Sequence, residues 1–450
     1  MTLCGSPSSA WACTHSGNCL LAAYLKLLCS NRNFRLLWLA QVISEMGDWF
    51  YSLAVYSLLL ELTHNRATSV GLAVVLQVLP VTFISPTAGA INDRLSRRSL
   101  MIAADVARFF VVLGMLLVRT PGMVWLAYPL LFMETVGVAF FEPAHSAIIP
   151  NIVEPGEILC ANGLASVTWS FCLAVGASLG GVAAVLLGRD AVFVLNALSF
   201  LGSAWLIRRM RFSEPHTEGL PRLRAHDLFD FTPIAAGMRY IRSDRDRFAT
   251  LFVKLGGGIL GANLVLLPVL AERVFPVHRA GLDARRGAIL GMSMLMGARG
   301  VGALLGPLVA VRWAGERQKR LRAGIAVGFL CAAAGYLWLG VSGSLLGAAL
   351  AVALAHSGGS TNWVFSTTLL QFYTEDRFRG RVFAAEFGLC MLSISASGYL
   401  AGVALDIGVQ PRTCATLIGC AMLIPAGVWI VCERVSSPRR HGEHGESTES

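Results

Sequence analysis

An all-α polytopic membrane protein, with twelve transmembrane helices in two six-helix pseudo-symmetric halves, is the fold class this chain predicts. Three observations carry the prediction. Hydrophobic residues make up 55% of the 450 residues and charged residues only 14%, where an ordinary soluble domain carries about 25% charged; the mean hydropathy is +0.62. Apolar runs recur at the roughly 20-residue length that crosses about 30 Å of hydrocarbon. The 37 Lys and Arg residues behind the net charge of +10 fall in the short polar segments between those runs, where they orient helices. They form no continuous basic face, which argues against a nucleic-acid partner.

Residues 1–33 read as an N-terminal extension, either disordered or an amphipathic lead-in. They lack the basic start and small-residue cleavage site of a signal peptide. Cys4, Cys13, His15, Cys19 and Cys29 do not have the spacing of a zinc finger. The eleven cysteines contain no C-x-x-C pair, so neither a metal site nor a disulfide framework is expected. The N-terminal half, 34–208, holds spans at approximately 36–60, 68–90, 99–118, 122–146, 159–187 and 190–208. Residues 209–246 form the longest internal polar segment, with Pro215, Pro221, many arginines and an interfacial helix expected from Leu228 to Ile241. The second half, 247–433, holds spans at about 247–271, 286–311, 323–341, 344–373, 382–407 and 412–432. Residues 434–450 are a polar tail with no core-forming pattern.

Orientation follows from the basic residues. One side carries the clusters in 91–98, 208–247, 312–322 and 374–381, while the other holds Arg66, Arg119, Arg189, Arg273, Arg279, Arg285, Arg286 and Arg412. That asymmetry, about three to one, places both termini in the cytoplasm. The connection from Asn151 to Leu159 departs from the pattern in having no basic residue.

Several charged residues lie where charge is costly. Glu45 and Asp48 share a face of the first span, and Glu134 sits near the middle of the fourth. A carboxylate at that depth costs several kcal/mol when ionised and is rare without a use. Asp48 or Glu134 suits a proton-coupling acid; a fixed ion pair or a protonated structural carboxyl is the alternative. Asp105 and Arg108, at i and i+3 on the third span, are placed to satisfy each other or the adjoining loop. Arg299, in the middle of the eighth span, must face a cavity or an acid: it can hold an anionic substrate, or pair with Glu134 or Asp48. His356 in the tenth span is titratable, although a locally satisfied core histidine is the simpler reading. Trp49, Phe50, Trp169, Trp363 and Phe365 are candidates for lining an apolar cavity. Gly176, Gly180 and Gly181 supply the small-residue spacing that lets helices approach closely.

The polar run Gly89-Ala90-Ile91-Asn92-Asp93-Arg94-Leu95-Ser96-Arg97-Arg98, set between two six-helix halves with a basic central loop, resembles the signature of the major facilitator superfamily, although Ser96 stands where a glycine is usual. Asn33-Phe34-Arg35-Leu36-Leu37-Trp38, Ser44-Glu45-Met46-Gly47-Asp48-Trp49, Met101-Ile102-Ala103-Ala104-Asp105, Phe141-Glu142-Pro143-Ala144 and Arg379-Gly380-Arg381-Val382-Phe383 resemble its enterobactin exporter and macrolide efflux branch of proton-linked drug antiporters. The run Gly176 to Gly181 resembles the antiporter signature, with Ala177 in place of the usual proline. The resemblance implies the major facilitator fold and a secondary active transporter of the cell inner membrane. It would export a small amphipathic compound, such as a drug, siderophore or related metabolite, in exchange for protons by alternating access. No cofactor is implied; the partners are a small-molecule substrate, protons and the lipid bilayer, and the state is monomeric. It further implies a gating set of Gly89, Asp93, Arg94, Arg97, Arg98, Asp105, Arg108, Arg379 and Arg381, with Asp93 capping an eleventh helix that begins near Arg381-Val382.

An uptake symporter or a lipid-related flippase of the same fold is the alternative, kept open by Ser96 and Ala177. A polytopic membrane enzyme would need a cluster of His, Asp or Cys at one interface, and the nine histidines are dispersed. No P-loop lysine motif is present.

Overall fold

The computed structural model describes residues 17–92, 95–154, 157–214, 232–278, 283–315 and 317–436. A first helix, α1 (Gly17–Ser30), precedes six long ones: α2 (Arg32–Leu62), α3 (Ala67–Asn92), α4 (Arg97–Gly114), α5 (Val124–Ile152), α6 (Ile158–Leu187) and α7 (Arg189–Arg208). A short α8 (Thr232–Arg242) leads to α9 (Arg245–Gly257), a 3-10 turn (Gly258–Ala262) and α10 (Asn263–Arg273), which together make one passage. The remaining five are α11 (Ala284–Ala314), α12 (Gln318–Val341), α13 (Leu345–Tyr373), α14 (Asp376–Asp406) and α15 (Pro411–Ser436).

These helices cover all twelve expected spans. Ten are long and apolar enough to cross a bilayer by composition alone. The other two, α2 with 31 residues and α13 with 29, are as long but carry the polar residues Glu45 and Asp48, or the stretch His356 to Asn362. Chains that put polar groups at that depth usually bury them inside the bundle, where they serve function.

Some expected boundaries shift. The N-terminal segment includes a helix, α1, whose Leu27 is buried against Phe34, Leu37 and Ile148; residues 1–16 lie outside the described residues. The expected interfacial helix is described over Thr232–Arg242, residues 228–231 lying outside the described residues, and its Ile241 is buried with Val382 and Ala385 of α14. The eleventh span begins at Asp376, five residues before the expected Arg381. Its charged first turns look like loop in a hydropathy reading, yet a membrane helix overhangs the hydrocarbon freely.

The seventh span, expected to be continuous, is interrupted by the 3-10 turn. Gly256, Gly257, Gly258 and Gly261 favour helix weakly, and the close approach to α14 depends on the last two: a Cβ on Gly258 would lie 2.5 Å from Ser393 Cβ, and one on Gly261 2.6 Å from Ile394 Cα. Backbone freed in hydrocarbon must find partners inside the protein. Ser393 Oγ donates to Leu255 O at 2.7 Å and Ser397 Oγ to Gly258 O at 2.8 Å.

Helices α2 to α7 pack among themselves, as do α9 to α15; the two groups meet chiefly along α6 on α11 and α3 on α14. Small residues permit that meeting. Gly181 brings α6 so near α11 that a Cβ would lie 2.3 Å from Ser293 Cβ, and Ser293 Oγ donates across the seam to Ala177 O and Ser178 O at 2.9 and 2.7 Å. Gly176 and Gly180 serve the same purpose toward Trp49 and Phe50 of α2.

Candidate functional site

Three helices converge on one buried guanidinium. Arg108 of α4 donates from Nη2 to Asp48 Oδ2 of α2 at 2.7 Å and to Glu134 Oε1 of α5 at 3.1 Å, with Nε 3.3 Å from the same Glu134 oxygen. Asp105, one turn earlier on α4, stands 3.8 Å from Nη1. The ring of Phe200 on α7 lies 3.9 Å from the guanidinium carbon, a stacking distance at which aromatic faces attract cations. The stem of Arg108 passes over Gly137 of α5, where a Cβ would sit 2.5 Å from Arg108 Cγ.

The sequence expects Asp105 and Arg108 to satisfy each other or the adjoining loop. They do adjoin, but the short contacts of the arginine go to Asp48 and Glu134. Pairing at i, i+3 leaves Asp105 at the edge of the fork, while a long side chain crossing a glycine reaches two other helices. The side chain of Asp48 keeps 34% of its surface exposed, against 4% for Arg108, 9% for Glu134 and 0% for Asp105. Asp48 is therefore the member that something outside the cluster can reach. Glu45, one turn before it, accepts from Gln41 Nε2 at 2.8 Å. Glu45 Oε2, Asp48 Oδ1 and both oxygens of Asp105 are buried without a hydrogen bond.

Arg299 of α11 pairs with neither Asp48 nor Glu134. Its guanidinium carbon stands 5.7 Å from the Trp49 ring centroid, and its Nε and Nη1 are buried without a hydrogen bond. His356 is buried and meets the Tyr336 hydroxyl at 3.3 Å, which is the arrangement of a satisfied core histidine. Of the aromatic candidates, Trp49 and Trp169 meet edge to face at 6.2 Å. Phe365, by contrast, is fully buried packing, pressed on Gly324.

A second buried pair escaped the sequence reading. Lys254 Nζ of α9 donates to Glu386 Oε2 of α14 at 2.9 Å, with 7% and 1% of the side chains exposed, and lies 4.3 Å from the Trp363 ring centroid. Glu386, a lone acid in an apolar run, was the signal that would have found it. Arg322 of α12 is also paired, to Asp246 at 2.8 Å and Glu433 at 2.9 Å.

Of the polar turn, Asp93 and Arg94 lie outside the described residues, and Gly89 is placed near the end of α3. Arg379 and Arg381 fall in the first turns of α14. Ser96 is the N-cap of α4: its Oγ accepts from Ser99 N at 3.2 Å and donates to Glu214 Oε2 at 2.6 Å. Arg97 Nη1 donates to Ala147 O at 2.8 Å, and Arg98 Nη2 to Arg208 O. The turn is thus fastened to α5 and to the chain following α7.

At the opposite end of the bundle, ties cross between the two helix groups. Asp406, at the end of α14, accepts from Ala67 N at 2.7 Å and Thr68 N at 2.8 Å, capping the start of α3; anions are favoured there. Arg273 of α10 donates to Asn65 O. Glu61, at the end of α2, bridges Arg189 of α7 and, at 3.0 Å, Arg285 of α11.

Among the described residues, long helices in two groups with buried charge among them define a polytopic membrane protein. A profile of the transmembrane secretion effector family matches residues 28–446. This chain belongs to that family, within the major facilitator superfamily of transporters. Macrolide efflux protein A of Streptococcus pyogenes is 24% identical over 421 residues, 90% of this chain and 96% of that protein. BacE of Bacillus amyloliquefaciens, named for bacilysin export, is 24% identical over 369 residues, covering 80% of this chain and 86% of its own. Two Bacillus subtilis MFS-type transporters match over shorter stretches: YfiS at 27% over 40% of its length, and YkuC at 26% over 42%. Among solved structures, a variant of the nucleoside transporter NupG superposes with a TM-score of 0.70 at 11% identity, over 89% of this chain and 100% of that one. A POT family peptide transporter does so at 0.70 and 12% identity, over 91% and 95%. At those identities the likeness is one of fold.

Proposed function

We propose that this protein exports a small amphipathic compound in exchange for protons, with the Asp48–Glu134–Arg108 cluster as the coupling centre. The observation that carries the reading is the surplus of acid around Arg108: three carboxylates from three helices face one guanidinium. Two negative charges without counter-ions are costly in low dielectric, so the cluster is a place to hold protons. The carboxyls titrate as a set rather than singly. Asp48, the accessible member, exchanges its proton with the transport pathway, while Arg108 and Glu134 pass the charge change on to α4 and α5. The efflux relatives favour export over uptake.

In this reading both termini and the Gly89–Arg98 turn face the cytoplasm, and a monomer suffices for transport. The domain division is functional: 34–208 and 247–433 rock against each other, with 209–246 as the cytoplasmic strap. The Asp406 cap and the Glu61–Arg285 bridge close the pathway on the outer side, and both break when the carrier turns outward. The Gly89–Arg98 turn with Arg379 and Arg381 does the same on the inner side.

The test is proton-driven transport of a compound panel in everted vesicles, with Asp48→Asn and Glu134→Gln beside the wild type. The reading expects both variants to lose gradient-driven accumulation of any compound the wild type moves. Two variants that match the wild type would sink it.

A further inference from the structure

Among the described residues, the cations inside the helix bundle divide unequally. Arg108 meets Asp48, Asp105 and Glu134; Lys254 meets Glu386; Arg322 meets Asp246 and Glu433. Arg299 meets no carboxylate within salt-bridge distance among the described residues, and its Nε and Nη1 are buried without a hydrogen bond. The titratable side chains around it are the phenols of Tyr56 and Tyr336 and the imidazole of His356, none of them an acid that could neutralise it. A guanidinium stays charged in any protein. Holding it at mid-depth without a counter-ion opposes folding, so a use must offset that cost.

Its position indicates the use. Arg299 projects from α11 toward Trp49 of α2, on the opposite helix group, and so lies at the seam where access alternates. Gly297 and Gly300 hold α11 against Ser178 and Ala174 of α6, so the guanidinium has little freedom to swing toward a distant acid. Trp49 is braced from behind by Gly176 and stands edge to face with Trp169, which is 47% exposed. One fixed, uncompensated fork beside an accessible aromatic pair is a complementary surface for a ring that carries an anionic group.

We propose that Arg299 is the substrate's anchor and that the exported compound is an amphipathic organic anion, a carboxylate, sulfonate or phosphate on a hydrophobic or aromatic body. The anionic group pairs with the Arg299 guanidinium and the body lies on Trp49 and Trp169. This rests on the export reading for its direction of transport, but its test is equilibrium binding with no gradient, so loss of proton coupling and loss of anion recognition are read separately.

The experiment uses the full-length chain in nanodiscs of zwitterionic lipid, with matched probes that differ by one charge. The pairs are 8-anilinonaphthalene-1-sulfonate with N-phenyl-1-naphthylamine, and 1-naphthylacetate with 1-naphthylacetamide. At least one anion is expected to bind saturably above empty nanodiscs. Arg299→Gln weakens it about ten- to a hundredfold, the worth of one lost charge-assisted hydrogen-bond pair, while Arg299→Lys retains most of it and the neutral partner is unaffected. The unliganded Arg299→Gln protein unfolds at a higher temperature than the wild type, because a partnerless charge has been removed. The proposal is overturned if no anion binds saturably, if Arg299→Gln leaves anion binding unchanged, or if it weakens both members of a pair equally. It is also overturned if Arg299→Gln lowers the unfolding temperature, since that marks a structural partner.

Discussion

Replacing Arg108 with Gln removes the sole cation of the N-terminal cluster and leaves Asp48, Asp105 and Glu134 facing one another. Breaking a buried ion pair from one side costs about 3–5 kcal/mol. Loss of the Phe200 stacking contact at 3.9 Å adds about 0.5–2 kcal/mol. The total falls if the acids take up protons, and that gives the prediction its sign. A folded variant that holds protons the unfolded chain would release is less stable as pH rises. Arg108→Gln should therefore be most destabilised relative to the wild type in alkaline buffer and recover as the pH falls. Asp48→Asn removes surplus negative charge and should cost less than about 1 kcal/mol, within the range of a tolerated substitution. Adding Asp48→Asn and Glu134→Gln to Arg108→Gln should restore much of the lost stability, since the charges that needed the arginine are gone. The assay is thermal unfolding of the purified protein followed by tryptophan fluorescence across pH. An Arg108→Gln protein as stable as the wild type at alkaline pH would refute the reasoning, as would a triple variant no better than the single one.

Four further outcomes follow from contacts already described. Gly137→Ala forces a Cβ to within 2.5 Å of Arg108 Cγ and should cost about 1–3 kcal/mol by overpacking, with a transport loss resembling that of Arg108→Gln. Asp406→Ala strips both backbone donors of their cap, which costs about 0.5–2 kcal/mol; it should also raise alkylation, from outside the cell, of a cysteine placed at Ser293. Unchanged labelling would show that the cap does not hold the outer side closed. Gly300→Ala brings a methyl to 2.3 Å from Ala174 Cα, a backbone that cannot yield, and should lower the unfolding temperature by overpacking as well as slow transport. Ser96→Ala should destabilise by about 1 kcal/mol, and Ser96→Gly by only a few tenths, measured by the same thermal unfolding.

The spans were legible because hydrocarbon thickness acts on every helix alike: each apolar run found in the sequence coincides with a helix, except the seventh, which is two helices joined by a 3-10 turn. The misreadings have physical causes. Asp376 to Arg381 is polar enough to resemble loop, but a helix extends past the membrane surface at no cost. The break in the seventh span depends on serines of α14 that accommodate freed carbonyls 138 residues away, a tertiary fact with no local trace beyond four glycines. Within the site, Asp48, Glu134, Arg108 and Arg299 were all visible as charges in apolar surroundings. Which charge met which was not, because the pairing turns on Gly137 giving Arg108 a path across α5. Glu386 and Asp406 were equally visible as acids in or beside apolar runs; their partners, Lys254 and the α3 amides, lie in other spans.

The central claim, that the Asp48–Glu134 cluster couples protons to export, is tested most directly in proteoliposomes by separating exchange from accumulation. With a compound the wild type transports, labelled substrate is exchanged across the membrane without a gradient, and then accumulated against its own gradient by an imposed proton gradient. The account predicts that Asp48→Asn and Glu134→Gln keep exchange and lose proton-driven accumulation. Proton-driven accumulation at the wild-type rate in both variants would contradict it.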